Sequence, residues 1–317
     1  MEKPKQTKPK LEKTNCDLCG SGEKMLLYDK SPFLIVRCAE CGLVYVSPRL
    51  SVRALKEEVY DEAYFDAERG YGLAGHFDEG RREAARRARE ILAWVERSAK
   101  RGRLLDVGCA GGFFLDAARR RGWEVRGVEF ATSAAALARE AFGLDVFEGE
   151  ITDAPFEEAS FDVVTLLDVI EHLTSPAAGL KKARALLRPG GKLFVITPNF
   201  DSLSRRSHGK NWGLLEPEHH LYYFTPKTID RMTAGAGFKV ERIFFRELGI
   251  AELLLSAATL GKVGFKVDAE SKRNLRERLG GIRDSVGNVV RFADRNLLKP
   301  LFPKIEGTAI YLEAIAE

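Results

Sequence analysis

The sequence predicts an α/β fold, a doubly wound and mostly parallel sheet preceded by a small cysteine-rich module. From residue 103 onward, apolar strand-like runs alternate with helical segments, which is typical of a parallel sheet covered on both faces. Four of the five cysteines fall between residues 16 and 41, in two CxxC pairs. The 317 residues exceed the roughly 250 to 300 that one hydrophobic core usually supports, so we expect one full domain with an appendage.

Composition and charge favour a soluble, cytoplasmic chain. No apolar run approaches the roughly 18 residues of a membrane span, and the N-terminus lacks the hydrophobic stretch of a signal peptide. The net charge is +4, of which residues 1–15 supply +3 through five Lys against two Glu. We therefore predict a disordered basic tail over 1–15. The nearly neutral remainder argues against a dedicated polyanion binder.

The cysteine spacing predicts a zinc ribbon over 16–48. The two pairs lie in "CDLCG" and "CAECG", with eighteen residues between Cys19 and Cys38. Within each pair, the two-residue gap lets both thiolates of a tight turn face one tetrahedral ion. The predicted ligands are Cys16, Cys19, Cys38 and Cys41. Two disulfides are the alternative, which a cytoplasmic location disfavours. Four thiolates leave no open position for water or substrate, so we expect a structural ion.

Residues 49–100 are predicted to form a linker and a helical lid. Tyr60, Tyr64 and Tyr71 either close over an acceptor or pack the ribbon on the main domain, and the sequence leaves both interpretations open. A helix is predicted over 81–100. Its five arginines between residues 81 and 90 suggest nucleic acid, but an apolar stripe at helical spacing favours a packed helix with a solvated face.

A glycine-rich turn follows the first predicted strand of the main domain. "RLLDVG" is typical of a buried strand, "CAGGFFLDAARRRG" of a glycine turn entering a helix, and "EVRGVEF" of a second strand ending in Glu129, 23 residues after Asp106. Such a turn lets backbone amides approach a ligand, and an acidic residue ending the second strand can accept both ribose hydroxyls. A dinucleotide fingerprint aligned at Gly108 needs a small residue at Phe113, so we favour a ligand without pyrophosphate.

The stretch "LLDVGCAGG" resembles the first motif of class I S-adenosylmethionine-dependent methyltransferases, and the resemblance continues over 101–245 and the C-terminal strand. "VFEGEITDAPFEEASFDVVTLLDVIEHL" resembles the third and fourth strands with the adenine-contacting segment, and "LLRPGGKLFVITPN" resembles the turn and fifth strand. The resemblance implies a seven-stranded Rossmann-like methyltransferase domain over 101–317, with a helical insertion over 246–305. Ala110 departs from the motif, which often has glycine there, but we expect alanine to be small enough.

The resemblance also implies S-adenosylmethionine as the cofactor and assigns its contacts. The implied cofactor-binding residues are Asp106, Gly108, Ala110, Gly112, Glu129, Phe130, Glu150, Ile151 and Asp168. The Glu171 and His172 pair in "DVIEHL" recurs in the ubiquinone-biosynthesis-like branch of the family, near the acceptor side. A structural histidine at a helix start is an equal alternative for His172.

"EPEHHLYYFT", residues 216–225, holds two adjacent histidines after the predicted fifth strand, at the sheet edge where open α/β proteins bind ligands. Thr225 and Pro226 predict a helix start, so we expect an extended lead-in over 218–224 with His219 and His220 on opposite faces. His220 matches the histidine of related sugar and small-molecule methyltransferases. The resemblance thus implies His220 as the candidate general base for a hydroxyl acceptor, and a structural role for both histidines stays open.

A four-cysteine ribbon before a methyltransferase domain resembles a group that includes sugar C- and O-methyltransferases. The leading hypothesis is methyl transfer to a hydroxyl or carbon of a small molecule, sugar or lipid-linked glycan. One alternative is an RNA base methyltransferase whose ribbon grips RNA, and another is a non-catalytic S-adenosylmethionine-binding adaptor. A basic amphipathic helix over 282–302 either contacts a membrane peripherally, near a lipid-linked acceptor, or packs on its own domain.

Overall fold

The computed structural model describes residues 11–60, 77–246 and 307–317. The first ten residues of the predicted tail, Tyr64, Tyr71 and the amphipathic segment 282–302 lie outside these residues. The chain divides into two units. The first comprises Met1–Thr197, Glu216–Ile243 and Tyr311–Glu317, and the second comprises Pro198–Leu215 and Phe244–Ile310.

The described residues form β-strands, α-helices and a few short 3₁₀ and π-helical turns. The strands are β1 (Leu11–Glu12), β2 (Lys24–Lys30), β3 (Phe33–Cys38), β4 (Val44–Val46), β5 (Arg49–Leu50), β6 (Arg103–Val107), β7 (Glu124–Glu129), β8 (Val146–Glu148), β9 (Phe161–Leu167), β10 (Leu187–Pro198), β11 (Tyr222–Tyr223), β12 (Phe238–Arg246) and β13 (Ala309–Ala316). The α-helices are α1 (Val52–Ala54), α2 (Phe77–Ser98), α3 (Phe113–Arg120), α4 (Thr132–Phe142), α5 (Pro176–Leu186), α6 (Leu203–His208) and α7 (Pro226–Gly235). A π-helical turn spans Leu55–Val59, and 3₁₀ turns span Ile151–Asp153 and Gly209–Asn211.

The central sheet has seven strands in the order β12-β13-β10-β9-β6-β7-β8. β6 pairs in parallel with both β7 and β9, and the pairs β7 with β8 and β9 with β10 are also parallel. Leu104, Leu105, Val163 and Val164 are fully buried, as expected where helices cover both faces of a parallel sheet. The predicted doubly wound, mostly parallel fold is confirmed. The strand order reverses at β6, which is where open α/β sheets bind ligands.

Helix α2 packs on the central sheet through its apolar stripe. Its residues Ala88, Ile91, Leu92 and Val95 are buried, while Arg89 is exposed. The Trp94 ring lies edge-on against Phe194 of β10, with ring centroids 4.9 Å apart. The expected packed helix is therefore present over 77–98 rather than 81–100.

A second sheet, of four strands, contains the cysteine-rich segment. β2, β3 and β4 are antiparallel neighbours, and β11 pairs antiparallel with β4, so that Tyr222 lies opposite Tyr45. The order is β11-β4-β3-β2. The sequence does not predict that a strand after the fifth strand of the main sheet completes this one, because a two-residue strand carries no periodicity.

The end of the predicted basic tail is ordered, contrary to expectation. β1 pairs antiparallel with β5, with Leu11 opposite Leu50 and Glu12 opposite Arg49. The Glu12 carboxylate also accepts a hydrogen bond from Arg49 Nε at 3.2 Å. Backbone pairing and this ion pair together hold a segment that its composition alone assigns to the tail.

In the second unit, Asn199 joins two chain segments. Its backbone N–H donates to Thr308 O at 2.8 Å, and its Nδ2 donates to Gly307 O at 2.9 Å. Ser202 caps α6 by accepting a hydrogen bond from Arg205 N. Among the described residues, no helix combines the length and apolar character needed to cross a bilayer.

Candidate active site

A cleft lies where β6, β7 and β9 end, with about 810 Å³ of empty space including its open mouth. Seven of the nine residues predicted to bind the cofactor line it, namely Gly108, Ala110, Glu129, Phe130, Glu150, Ile151 and Asp168. Its other polar lining groups come from Tyr60, His172 and Thr174. The glycine turn, the second-strand acid and the fourth-strand loop thus meet in one place, although they are up to 60 residues apart in sequence (168 − 108 = 60).

The turn after β6 is tight and partly left-handed. Gly108 has φ of +69°, and a Cβ placed there would collide with the Val169 side chain. Ala110 has φ of +46°, a conformation that costs a residue with a Cβ roughly 1 to 2 kcal/mol. Glycine would avoid that cost, which is a physical reason for the motif's usual residue at this position.

Asp106 and Gly112, the other two residues predicted to bind the cofactor, do not line the cleft. Asp106 is buried and accepts a hydrogen bond from Thr165 Oγ1 at 2.6 Å. Burial raises the pKa of Asp106 to about 7, although the Thr165 hydroxyl opposes the shift. Gly112 begins α3 with φ of +82°, packed close to Leu144 and Ala138.

Glu129 has a geometry suited to a diol. It is 7% exposed, Oε2 accepts from Ala110 N and Oε1 accepts from Ala131 N, each at 2.8 Å. Burial raises the pKa of Glu129, while these amides act in the opposite direction. Each carboxylate oxygen has two lone pairs, so one lone pair on each remains to accept a ligand hydroxyl.

Another part of the cleft lining combines aromatic side chains with a hydrogen-bonded carboxylate. Phe130 lies edge-on to Tyr60, with ring centroids 5.6 Å apart. Glu150 accepts hydrogen bonds from Thr174 Oγ1 at 2.8 and 3.1 Å, and Ile151 beside it is buried. An apolar wall beside a fixed acceptor suits a flat heterocycle with an exocyclic amine.

Two acidic residues, Asp168 and Glu171, follow β9. Asp168 has φ of +56°, and its carboxylate is ion-paired with Arg87 of α2. Glu171 is buried; Thr197 Oγ1 donates to its Oε2 at 2.9 Å, and its Oε1 accepts no hydrogen bond from any residue that the structure describes. Burial, followed by the Asp168 charge, raises the pKa of Glu171 to about 8.

His172 stands at the cleft wall. Its Nδ1 is 2.9 Å from the His219 carbonyl oxygen and 3.1 Å from the Tyr60 hydroxyl. A carbonyl oxygen only accepts, so Nδ1 carries the proton and Nε2 the lone pair. Desolvation, together with the neighbouring imidazoles of His220 and His219, lowers the pKa of His172 well below its usual value. The ring is therefore neutral near pH 7.

His219 and His220 contact His172, and the three residues are here called the histidine cluster. The ring of His172 is stacked on that of His219 with centroids 5.5 Å apart, and lies edge-on to that of His220 at 4.7 Å. His219 Nε2 is 3.1 Å from Glu216 Oε2. Neither His219 nor His220 lines the cleft.

The predicted opposite orientation of His219 and His220 is wrong. Their ring centroids are only 4.8 Å apart. The backbone N–H groups of both residues donate to Glu216 O, so 216–220 is a turn and the extended chain begins later, at β11. The predicted helix start is confirmed, because Thr225 and Thr228 form a reciprocal cap ahead of α7.

The four cysteines of the two CxxC pairs converge at one point. Their ligand atoms lie within 4.8 Å of one another, with Sγ–Sγ distances of 3.3 Å for Cys16 and Cys41 and 3.5 Å for Cys19 and Cys38. Gly20 N donates to Cys16 O and Gly42 N to Cys38 O, so the two turns repeat one geometry. Zn–S bonds of about 2.3 Å in a tetrahedron imply sulfur separations of about 3.8 Å. The donor set therefore fits a tetrahedral thiophilic ion.

Sequence reasoning missed two arginines of this region. Arg87 belongs to the helical face that we expect to be solvated, yet it pairs with Asp168 at the cleft. Arg49 is 8% exposed and donates from Nη1 to Thr174 O at 2.8 Å and to Tyr222 Oη at 3.1 Å. No local pattern distinguishes either from other arginines, because the partners that matter here, Asp168 for Arg87 and Thr174 for Arg49, are 81 and 125 residues away.

Comparison with solved structures supports the fold. The chain is similar to an S-adenosylmethionine-dependent methyltransferase from Archaeoglobus fulgidus, with 18% identity and a TM-score of 0.50 over 80% of this chain and 100% of that one. It is also similar to phosphoethanolamine N-methyltransferase 2 of Haemonchus contortus, with 17% identity and a TM-score of 0.53 over 86% of this chain and 62% of that one. At such identity the likeness concerns the fold alone.

Sequence comparison is more specific. The chain is 34% identical to a ubiquinone biosynthesis O-methyltransferase of Idiomarina loihiensis over 153 residues, which cover 43% of this chain and 61% of that protein. A second one, from Paracidovorax citrulli, is 38% identical over 117 residues and 49% of its length. The chain thus spans about half of the curated relatives it matches. A family model described as a methyltransferase domain matches residues 77–243, more than half of the sequence, and the chain therefore belongs to that methyltransferase-domain family.

Proposed function

We propose that the protein transfers a methyl group from S-adenosylmethionine to a hydroxyl, or an activated carbon, of a small molecule or a glycan. The observation that carries the proposal is that one cleft is lined both by Glu129, a carboxylate placed to accept a diol, and by the imidazole of His172. Two more imidazoles contact that of His172. A nucleoside site that adjoins a group of candidate proton acceptors suits methyl transfer to oxygen.

The lining residues fit S-adenosylmethionine. Glu129 would accept the two ribose hydroxyls, Phe130 and Ile151 would flank the adenine, and Glu150 would accept from its amine. The glycine turn lets the backbone approach the ligand closely. When bound, the cofactor supplies an electrophilic methyl group on a sulfonium, so this chain has mainly to position the acceptor and remove one proton.

We assign the general base to His220. His172 lines the cleft, but desolvation and the neighbouring imidazoles lower the pKa of His172 well below its usual value, which makes its Nε2 a weak base near neutral pH. His220 is the position that matches the histidine of related sugar and small-molecule methyltransferases, and an imidazole can take a proton near neutral pH. In this assignment His172 and Tyr60 form the wall that the acceptor meets. His220, whose ring lies edge-on to that of His172 with centroids 4.7 Å apart, is the final acceptor of the proton.

The acceptor class follows from the relatives and the site together. Curated relatives carry the name O-methyltransferase, which favours a hydroxyl acceptor. The near-neutral charge of the chain outside residues 1–15 disfavours RNA, because RNA binders depend on neutralising phosphates. A membrane contact through 282–302 stays a prediction from the sequence, since those residues lie outside the described ones.

A labelled-methyl experiment tests this proposal. Purified protein, S-adenosylmethionine with a labelled methyl group, and cell extract fractionated into small molecules, glycolipids and RNA are incubated together. We expect label in the small-molecule or glycolipid fraction. Label confined to RNA would establish the RNA alternative instead. Calorimetric binding of S-adenosylmethionine without labelled product in any fraction would indicate an adaptor, and binding of NAD in its place would contradict the cofactor assignment.

We further propose that the four cysteines hold a structural zinc ion. The convergence of four sulfur atoms and the two matching turns support the proposal. Metal analysis of freshly purified protein should give one zinc per chain, as in other four-cysteine sites. Cys38→Ser should lose it and loosen the ribbon while cofactor affinity stays nearly unchanged, because no cysteine of the ribbon lines the cleft. Protein purified without any zinc would contradict the assignment.

A further inference from the structure

Both chain segments that carry the histidine cluster are fastened to the four-cysteine module, defined here as residues 14–50. The segment after His220 is part of the module's sheet, because β11 pairs with β4 and Val46 N donates to Leu221 O at 2.9 Å. The two segments are also joined to each other. The backbone N–H groups of Leu221 and Tyr222 donate to Glu171 O at 2.9 and 3.1 Å.

Arg49 links the module to both segments with one side chain. Its Nη1 donates to Thr174 O, two residues after His172, and to the hydroxyl of Tyr222, two residues after His220. Tyr222 in turn donates to Thr174 O at 3.2 Å. Because Arg49 is buried, its guanidinium would remain desolvated and without hydrogen bonds if it lost these partners. The loss of either partner is therefore costly.

Asp17 provides a second link, from the first CxxC turn. Its Oδ1 accepts from Ser175 Oγ and its Oδ2 from Ala177 N, both at 2.8 Å. These groups form the N-terminus of α5, where a carboxylate is favoured by the free N–H groups. The cysteine turn therefore fixes the end of the segment that begins with Glu171 and His172.

We propose that the four-cysteine module is the support that sets the position of the histidine cluster, with Arg49 and Asp17 as its positioning residues. In this proposal the four-cysteine module helps to form the acceptor side of the site, where the histidine cluster lies. It is then more than an appendage that binds metal or a partner. The proposal rests on the proposed function in one respect, namely that these imidazoles serve methyl transfer. The positioning itself can be measured without any acceptor.

The first test compares Arg49→Met with Arg53→Met. Arg53 lies four residues further on, is exposed and pairs only with Glu57 among the interactions of the described residues, so it serves as a matched control. Imidazole NMR signals of isotope-labelled protein are followed against pH. We expect the signals of His172, His219 and His220 to shift in Arg49→Met and to stay in Arg53→Met. The signal of His208, in α6, should stay in both and acts as an internal reference.

A second pair guards against a variant that fails to fold. Asp17→Asn removes the charge at the α5 N-terminus, whereas Asp29→Asn changes an exposed residue whose hydrogen bonds, within the described part of the chain, come from Ser31 of its own turn. We expect the cluster signals to shift in Asp17→Asn alone, with calorimetric cofactor affinity unchanged in both. With an acceptor in hand, turnover should fall roughly 10- to 100-fold for Arg49→Met and Asp17→Asn, because small displacements of a positioned group have effects of that size.

Folded Arg49→Met and Asp17→Asn proteins whose three cluster signals coincide with those of the wild type would overturn the proposal. Failure of the proposed function would look different. In that case no fraction would accept a methyl group, yet the imidazole signals would still report whether the module positions the cluster.

Discussion

In the cleft, the carboxylate of Glu129 is held by the backbone, whereas the side chains of the histidine cluster are held by one another and their segments by a distant module. Glu129 accepts from two main-chain N–H groups within 19 residues of it. His172, by contrast, contacts His219 and His220 across 47 and 48 residues of sequence (219 − 172, 220 − 172), and their segments are fastened by Arg49.

The difference teaches where each region is sensitive. A site fixed by main-chain geometry tolerates changes elsewhere, since the turn after β6 and the end of β7 form together with the sheet. A site fixed by side chains depends on each of its contacts, and buried polar networks become costly when one member is lost. We therefore expect the cleft to respond to substitutions in its own lining, and the cluster to respond also to substitutions far from it in sequence.

The largest expected effect is on turnover. His220→Ala should lower the single-turnover rate about 10²- to 10⁴-fold, the usual contribution of a general base, with little change in cofactor affinity. His219→Ala and His172→Asn should cost less, and His208→Ala, outside the cluster, should have no effect. A folded His220→Ala protein that binds cofactor and turns over within about threefold of the wild type would exclude His220 as the base, and a larger loss in His172→Asn would move that role to His172.

The next effect concerns pH and the buried Glu171. Its pKa is about 8 in the folded protein against 4.5 unfolded, so between these values the folded state retains a proton that the unfolded state releases. This group therefore contributes a decline of stability as pH rises from 4.5 to 8, with a slope of at most about 1.4 kcal/mol per pH unit. Glu171→Gln should remove that decline. The free energy of unfolding of both proteins is measured by denaturation from pH 5 to 8. An equal change with pH in the two proteins would contradict the prediction.

Glu129→Ala probes the cleft itself. Loss of a carboxylate that accepts two ribose hydroxyls should weaken S-adenosylmethionine binding by roughly 1 to 3 kcal/mol in calorimetry. Glu148→Ala is the control, because Glu148 lies opposite Glu129 on β8 but does not line the cleft. Equal affinity of Glu129→Ala and the wild type would overturn the assignment of the ribose site.

The smallest effect is expected at Ala110, whose φ is +46°. Ala110→Gly should leave stability unchanged or raise it by up to about 1 kcal/mol, since glycine adopts this conformation without a steric cost. Ala110→Val should lower stability by roughly 1 to 2 kcal/mol, because a branched Cβ is crowded there. Thermal melts of the three proteins decide this, and a stabilised Ala110→Val would contradict the left-handed turn.

The cleft was largely predictable and the cluster was not. Gly108, Glu129 and Asp168 each end or follow a strand with a clear apolar run, so the parallel sheet brings them together by its own topology. The orientation of His219 and His220 was wrongly predicted because a local cap at Thr225 says nothing about the turn at Glu216. The pair of Arg87 and Asp168 was missed for a similar reason. Helical periodicity tells the apolar face of a helix from its polar face, but it does not show which distant residue a polar side chain will contact.

The sequence by itself determined the sheet, the glycine turn and the CxxC spacing, because each follows from contacts between residues that are near in the chain or from the strand order of a parallel sheet. Only the tertiary structure decided that the four-cysteine module and the segment after His220 share a sheet. The pairing of β4 with β11 joins residues 44–46 to residues 222–223. A two-residue strand leaves no pattern in the sequence, and its position is selected by the burial and hydrogen bonding of the folded chain as a whole.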